Sequence, residues 1–324
     1  SKEEYLSRLS KVTDVMEHKN IDVIIITDPS NMNYLTGYDG WSFYVPQGII
    51  VALDMDEPIW FGRRQDSKGA KVTTYLQDKN IIYYSEDLIQ SPPTHPYDFV
   101  SSFIHENNWA KKNIGVEMDA YYYTAENHYR LTSTCPNVNF SDATLLVNWI
   151  RLIKSENEIT YMKEGAKLVQ AGMKTAYENI KPGVKQSYVA GKIQNSLIGG
   201  NEEINIGGEY PGLTTILASG VSASASHLTP KDNLFNNNEG TIIELAGVKN
   251  RYHCPLSRTV YCGMPDSKTS DTMKITNEGV EKAISVTKPG NTANDVAVAF
   301  WSVLENYGIE KDSRLGYAIG VGYP

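Results

Sequence analysis

The chain has 324 residues, 41% of them hydrophobic and 21% charged, with a formal net charge of −8 at pH 7. That balance fits a globular protein long enough for two domains, and it excludes wholesale disorder and leaves nucleic-acid binding without a basic face. The longest early apolar run, Val23-Ile24-Ile25-Ile26, is too short for a membrane span or signal-peptide core, and Cys135, Cys254 and Cys262 are too few for a disulfide framework, so the cytosol is the expected compartment.

Taken in order, residues 3–19 have apolar side chains (Tyr5, Leu6, Leu9, Val12, Val15, Met16) near helical spacing. Ile21 to Thr27 reads as a buried strand, stopped by the turn cluster Asp28-Pro29-Ser30-Asn31. Strands at Val45–Leu53 and Pro58–Gly62 flank the acidic turn Asp54–Glu57. A strand at Ile81–Tyr84, a helix over 97–108, a strand at Ile114–Glu117 and a helix at Tyr121–Leu131 follow. The alternation predicts an α/β domain with a mixed sheet over residues 1–149.

From residue 150 the pattern changes. Ser155 and Glu158 form a capping-box pair for a long helix that closes at Lys181-Pro182-Gly183, and a second helix runs from about Ser187 to Ile198. The arrangement recurs as a helix from Ser270 to Val286, a junction at Lys288-Pro289-Gly290 and a helix capped by Thr292 that reaches Tyr307. Strands at Thr214–Leu217, Thr241–Ala246 and Ser257–Cys262 lie between the pairs. This predicts an α+β domain over 150–324, with a curved antiparallel sheet backed by duplicated helix pairs.

Residues 199–263 concentrate the unusual polar residues. Gly207-Gly208-Glu209-Tyr210-Pro211 precedes the first strand, and Ala225-Ser226-His227 follows it. Glu244 interrupts the apolar strand Ile242-Ile243-Glu244-Leu245-Ala246; a carboxylate there is costly unless paired or used, although strand alternation could also turn it to solvent. His227 sits in a loop of small residues that leaves room for a substrate beside the imidazole, or is simply a structural loop histidine. Tyrosine is abundant, 21 residues against 7 phenylalanines; tyrosines suit polar pockets and interfaces, although a compositional bias of the organism accounts for the count equally well.

These features resemble the creatinase/aminopeptidase P/prolidase superfamily. The resemblance is carried by the Ile-Lys-Ser-Glu-Asn-Glu-Ile helix start at 153–159, both Pro-Gly junctions, His227, Glu244 to Gly247 and Ser257-Arg258-Thr259. In the first domain it is carried by the run from Ser30 to Gly37. It covers essentially the whole chain and implies a creatinase-like N-terminal domain and a "pita-bread" catalytic domain, the latter expected to be incomplete after Pro324. The strings Tyr38–Val45, Trp60–Arg63, Gly208–Pro211 and Tyr252–Thr259 are most similar to members that open a cyclic amidine carrying a carboxylate.

Peptidases of this superfamily hold two metal ions with two Asp, a His and two Glu. On this chain the resemblance puts the Asp positions at Glu244 and Pro255 and the His at Tyr317, with the Glu positions beyond Pro324. Prolyl and phenolic side chains make a poor catalytic metal site, so no metal and no other cofactor is expected. His227 falls on the histidine that the family uses for proton transfer. The resemblance thus implies a hydrolase in which Glu244 attacks the amidine carbon or activates water, while His227 moves the proton. Arg258 or Arg251 could hold the substrate carboxylate, although Arg258 could equally be a sheet-edge ion-pair residue. Tyr210, Tyr252, His253 and Tyr317 are pocket-lining candidates. Trp41, Phe43 and Tyr44 either edge a core or, in the homodimer that the resemblance implies, cap the partner's pocket. A prolidase-type metallopeptidase and a non-catalytic binding protein of the same fold are the competing readings.

Overall fold

The computed structural model describes residues 1–42, 44–200, 204–210, 212, 214–225 and 227–322. Phe43, Pro211 and Ser226 lie outside the described residues. The chain divides into two compact units, one running to Asn157 and taking back the segment from Gly320, the other spanning Glu158–Ile319.

The first unit contains, in order, α1 (Lys2–His18), β1 (Val23–Ile26), α2 (Pro29–Thr36), β2 (Gly48–Ala52), β3 (Ile59–Arg63), α3 (Ser67–Thr73), β4 (Ile81–Tyr84), α4 (Pro96–Glu106), β5 (Asn113–Val116), α5 (Ala125–Thr134), β6 (Asn139–Asp142) and α6 (Leu146–Ile150). Its six-stranded mixed sheet has the order β4-β3-β2-β1-β5-β6, antiparallel at β1–β2 and β2–β3 and parallel elsewhere. β1 and β2 are buried throughout, which explains why their sequences read as apolar runs without alternation.

Asp28-Pro29-Ser30-Asn31 is a helix start, which corrects the reading of it as a turn. Asp28 is the N-cap and accepts the Asn31 N–H at 2.9 Å, Pro29 occupies the first turn, and Gly37 ends α2 at φ +80°. Turns and helix N-termini draw on the same residue types, so the string alone does not separate them. Glu117, just past β5 and buried, accepts the Thr27 and Asp28 N–H groups at 2.7 and 2.8 Å and the Asn31 side-chain amide at 2.6 Å.

Burial, reinforced by repulsion from Asp28, pushes the Glu117 carboxyl up from 4.5 to about 7, against the pull of its three donors. A carboxyl raised in this way favours the fold when protonated. Its contribution is complete below about pH 4.5 and is lost as pH rises through about 7, a change on the order of 3 kcal/mol. Glu117→Gln removes that titration. Urea midpoints measured between about pH 5 and pH 8 should therefore fall in the wild type and stay nearly level in the variant, apart from a uniform loss for the mismatched donors. Equal slopes in both proteins would show that Glu117 does not carry the proton.

The second unit is built from α7 (Glu156–Asn179), α8 (Gln186–Gly199), β7 (Ile216–Ser219), β8 (Glu239–Lys249), β9 (Tyr252–Cys262), α9 (Ser267–Val286) and α10 (Ala293–Asn306). Its sheet is antiparallel, in the order β7-β8-β9. α7 and α8 cover one face, packing Val169, Met173, Val189, Ile193 and Leu197 against Leu217, Ile243 and Leu245. α9 and α10 pack on each other where Gly279 meets the Phe300 ring. The two Lys-Pro-Gly junctions share a left-handed glycine, Gly183 at φ +84° and Gly290 at φ +94°, as a duplicated helix pair requires.

β8 and β9 extend further than the sequence patterns suggested, because a two-residue turn, Asn250 (φ +48°) and Arg251 (φ +66°), joins them as a tight hairpin. The turn is clamped from outside: Glu209 accepts the Asn250 and Arg251 N–H groups at 2.6 and 3.2 Å, and Lys249 donates to the Gly207 carbonyl at 3.0 Å. Pro255 is tolerated within β9. It faces Ala246, whose carbonyl accepts the Gly212 N–H on the side away from β9. The pair is thus a non-hydrogen-bonded one, and the N–H that proline lacks is not needed by the ladder.

α7 rests directly on β8 at Gly247. A Cβ there would strike the Gly165 carbonyl and come within 2.7 Å of the Val169 nitrogen. Gly247→Ala should cost about 3 kcal/mol, because backbone rather than a pliable side chain stands in the way. Thermal unfolding of the variant tests this, and a melting temperature within a degree or two of wild type would contradict the contact.

Candidate active site

Glu244 lies in the middle of β8. Its neighbours Ile243 and Leu245 are fully buried against the helices, so alternation turns Glu244 to the other face with Ile242, Ala246 and Val248. The register adds Ile216 and Ala218 from β7, and Thr259, Ser257, Pro255 and His253 from β9, to that face. Glu244 is directly opposite Ser257 in a close, non-hydrogen-bonded pair, with Pro255 diagonal to it. The carboxylate is half-buried on a surface made mainly of methyl groups, hydroxyls and a prolyl ring.

The same face continues to a stack at the hairpin tip. Tyr210 meets His253 edge-on with ring centroids 5.9 Å apart, and the Arg251 guanidinium lies 4.8 Å from the Tyr210 centroid. His253 Nδ1 is 2.9 Å from the Arg251 carbonyl, which can only accept, so the neutral ring carries its proton on Nδ1. Burial holds the imidazolium below its usual range, and the contact with the Arg251 carbonyl works in the opposite direction. Tyr210 and His253 thus lie toward one end of the Glu244 face.

His227 follows a short 3-10 turn (Gly220–Ser224), adopts a left-handed backbone at φ +63° and is exposed. Among the described residues no hydrogen bond joins it to Glu244.

Two sequence-derived pocket candidates do not share the Glu244 face. Tyr252 and Arg258 occupy even positions of β9, which pair with odd positions of β8 on the helix side. Tyr252 is buried there, donates its hydroxyl to Glu158 at 2.8 Å and packs on Tyr161. Arg258 is exposed and donates to the Ser257 carbonyl at 2.7 Å. The signal that separates the faces is the Asn250-Arg251 turn, which fixes every β8–β9 pair once it is recognised. Glu158, buried beneath the sheet as the acceptor for Tyr252, is a structural residue that the sequence reading placed only in a helix cap.

The remaining candidates sit elsewhere. Trp41 and Tyr44, in the first unit, are 58% and 70% exposed, and Arg63 Nη2 donates to the Tyr44 hydroxyl at 3.0 Å. Tyr317 lines a separate cleft beside Arg314, with the guanidinium 5.9 Å from its ring centroid.

Glu244 supplies one carboxylate, but Pro255, diagonal to it, supplies no side-chain donor, and no group of three His, Cys, Asp or Glu converges among the described residues. No helix among the described residues is long and apolar enough to cross a membrane.

Arg258→Gln should leave KM for the substrate within about threefold of wild type, whereas a guanidinium binding a substrate carboxylate would cost tenfold or more. Steady-state kinetics on the variant decides between them.

Known proteins give this geometry a context. Residues 160–324 match the profile of metallopeptidase family M24, and residues 8–153 match the creatinase/prolidase N-terminal domain. Ectoine hydrolase from Halomonas elongata is 42% identical over 329 residues, which cover 100% of this chain and 82% of that protein. An uncharacterised hydrolase/peptidase from Sinorhizobium fredii is 42% identical over 99% of this chain and 81% of its own length. A prolidase from Thermococcus sibiricus superposes with a TM-score of 0.83 at 18% identity, covering 98% of this chain and 82% of the other, and it shares the pita-bread fold.

Proposed function

The chain belongs to metallopeptidase family M24, a family of hydrolases, and we propose that it hydrolyses a C–N bond in a cyclic amidine without a catalytic metal. Ring opening of ectoine to N-acetyl-diaminobutyrate is the reaction we assign. The observation that carries this reading is the placement of Pro255 diagonal to Glu244 on one face: the carboxylate stays on the working face while the neighbouring donor position holds a ring that cannot ligate. The 42% identity to an ectoine hydrolase along the whole chain supplies the substrate class.

An amidinium is a planar cation, and a half-buried carboxylate on an apolar face binds it by charge while desolvating the attacked carbon. Glu244 attacks that carbon, or takes a proton from a water that does. As the carbon becomes tetrahedral, one ring nitrogen must leave. His227 gives it a proton, the C–N bond breaks, and the former amidine carbon keeps the oxygen from water as an amide carbonyl. When Glu244 itself attacks, loss of the ring nitrogen leaves an O-imidoyl-enzyme, which water hydrolyses at the same carbon to release the amide and free Glu244, so both routes consume one water and regenerate the enzyme. Tyr210 and His253 bound the substrate on the hairpin side.

We further place the chain in the cytosol, in keeping with its three unpaired cysteines, and as a homodimer whose exposed Trp41 and Tyr44 meet the partner subunit. A fully active monomer by gel filtration would remove the dimer.

Incubation of the protein with ectoine, followed by NMR, tests the reading. Turnover should be the same with and without a chelator. Glu244→Gln should lower kcat at least about a thousandfold and His227→Ala on the order of a hundredfold or more. The competing reading is an Xaa-Pro peptidase, favoured by the likeness to prolidase structures. It requires activity on Xaa-Pro dipeptides that is lost to the chelator and restored by manganese or cobalt. Absence of ectoine turnover under every condition would dispose of the amidine assignment.

A further inference from the structure

Within the sheet, Glu244 has one directly adjacent polar side chain on its face. On the β7 side it pairs with Ile216, and along β8 it lies between Ile242 and Ala246. On the β9 side it stands opposite Ser257, with Pro255 and Thr259 on the two diagonals. We infer that Ser257 is a positioning residue for the reaction: its hydroxyl donates to one oxygen of the Glu244 carboxylate and leaves the other oxygen to face the substrate. The inference rests on the reading of Glu244 as the reacting carboxylate.

The register sets the distance. A directly opposed, non-hydrogen-bonded antiparallel pair holds its Cβ atoms about 5 Å apart, against about 7–8 Å for diagonal neighbours. From the shorter spacing a serine oxygen and a glutamate carboxylate meet by side-chain rotation alone. Thr259 reaches the carboxylate only when Glu244 is fully extended toward it. Neither member of the pair is engaged elsewhere: among the described residues, the Ser257 hydroxyl and the Glu244 carboxylate have no hydrogen-bond or ion-pair partner. It is the Ser257 carbonyl, not its hydroxyl, that accepts from Arg258 Nη1 at 2.7 Å. The hydroxyl is exposed and free to turn, and the bond tightens as an arriving substrate displaces water from the half-buried carboxylate.

A hydroxyl is the right group for this task. A glutamate turns about several side-chain bonds, and the methyl groups and prolyl ring around Glu244 offer nothing to fix the direction of its carboxylate. Once substrate excludes water, a carboxylate oxygen left without a donor is costly, and a hydroxyl at the opposed position offsets that cost. Serine does so without a charge of its own. A lysine or arginine there would pair with Glu244 and take the place of a cationic substrate. The nearest such residue in sequence, Arg258, is turned to the other face by strand alternation. The carboxylate is thus held while its charge remains for an amidinium.

The test compares Ser257→Thr, which keeps the hydroxyl, with Ser257→Val, which has nearly the shape of threonine without it. Position 257 is exposed, so both variants should fold, and their melting temperatures check this. With ectoine as substrate, Ser257→Val should lower kcat about tenfold with KM within about threefold of wild type, while Ser257→Thr should retain most of kcat. In a Glu244→Gln background the Ser257→Val change should cost little more, because no carboxylate is left to direct. A second readout needs no turnover. In protein labelled with carbon-13 at the glutamate carboxyls, the Glu244 signal, identified by its loss in Glu244→Gln, should move in Ser257→Val and stay near its wild-type position in Ser257→Thr. A wild-type protein that leaves ectoine intact would remove the reading of Glu244 as the reacting carboxylate, and the carbon-13 signal would still decide whether serine holds glutamate. Wild-type kcat in Ser257→Val with an unmoved Glu244 signal would overturn the inference. So would a Ser257→Val loss as deep as that of Glu244→Gln, which would make the serine itself the nucleophile.

Discussion

The two-residue turn at Asn250 and Arg251 is the constraint on which the candidate site depends. Both residues adopt left-handed backbone, so β8 and β9 leave the turn in fixed register, and each side chain beyond it is committed to one face. A slip of one residue along β9 would exchange Ser257 for Arg258 and Pro255 for Leu256 beneath Glu244. The Glu209 carboxylate, taking both turn N–H groups, makes that slip costly from outside the hairpin. The Gly-Gly-Glu-Tyr string therefore has a structural task, holding the turn, alongside the placement of Tyr210 against His253.

Much of the architecture was legible in the sequence. The helix pairs, their Pro-Gly junctions and the Thr292 cap show in local residue chemistry, and the mixed sheet follows from the alternation of elements. The start of α2 was not legible, because Asp, Pro, Ser and Asn serve turns and helix starts alike. Strand faces were the harder problem. Tyr252, His253 and Arg258 are adjacent in sequence and chemically similar as pocket candidates, yet only His253 shares the side of Glu244. Composition carries no information about parity; that comes from the turn. His227 lies in a loop, where no periodic pattern fixes the direction of a side chain.

Glu117 and Glu244 show two ways of keeping a carboxylate in apolar surroundings. Glu117 is enclosed and surrounded by donors, with its oxygens engaged in holding the start of α2. Glu244 sits half-open among methyl groups, a prolyl ring and the hydroxyl residues Ser257 and Thr259, with no backbone N–H groups gathered around it as at Glu117, which leaves its charge available to a cation. The first arrangement suits a structural role. The second suits a ligand that brings its own positive charge.

The bare contact between Gly165 and Gly247 has a dynamic consequence. With no side-chain layer to act as a lubricant, helix and strand cannot slide past one another and must fluctuate as one stiff body. The strand bearing Glu244 is thereby anchored three residues away from that side chain. Breathing motions that admit a solute have to come from the flanking loops, and amide protons around this seam are the ones expected to exchange most slowly in the unit.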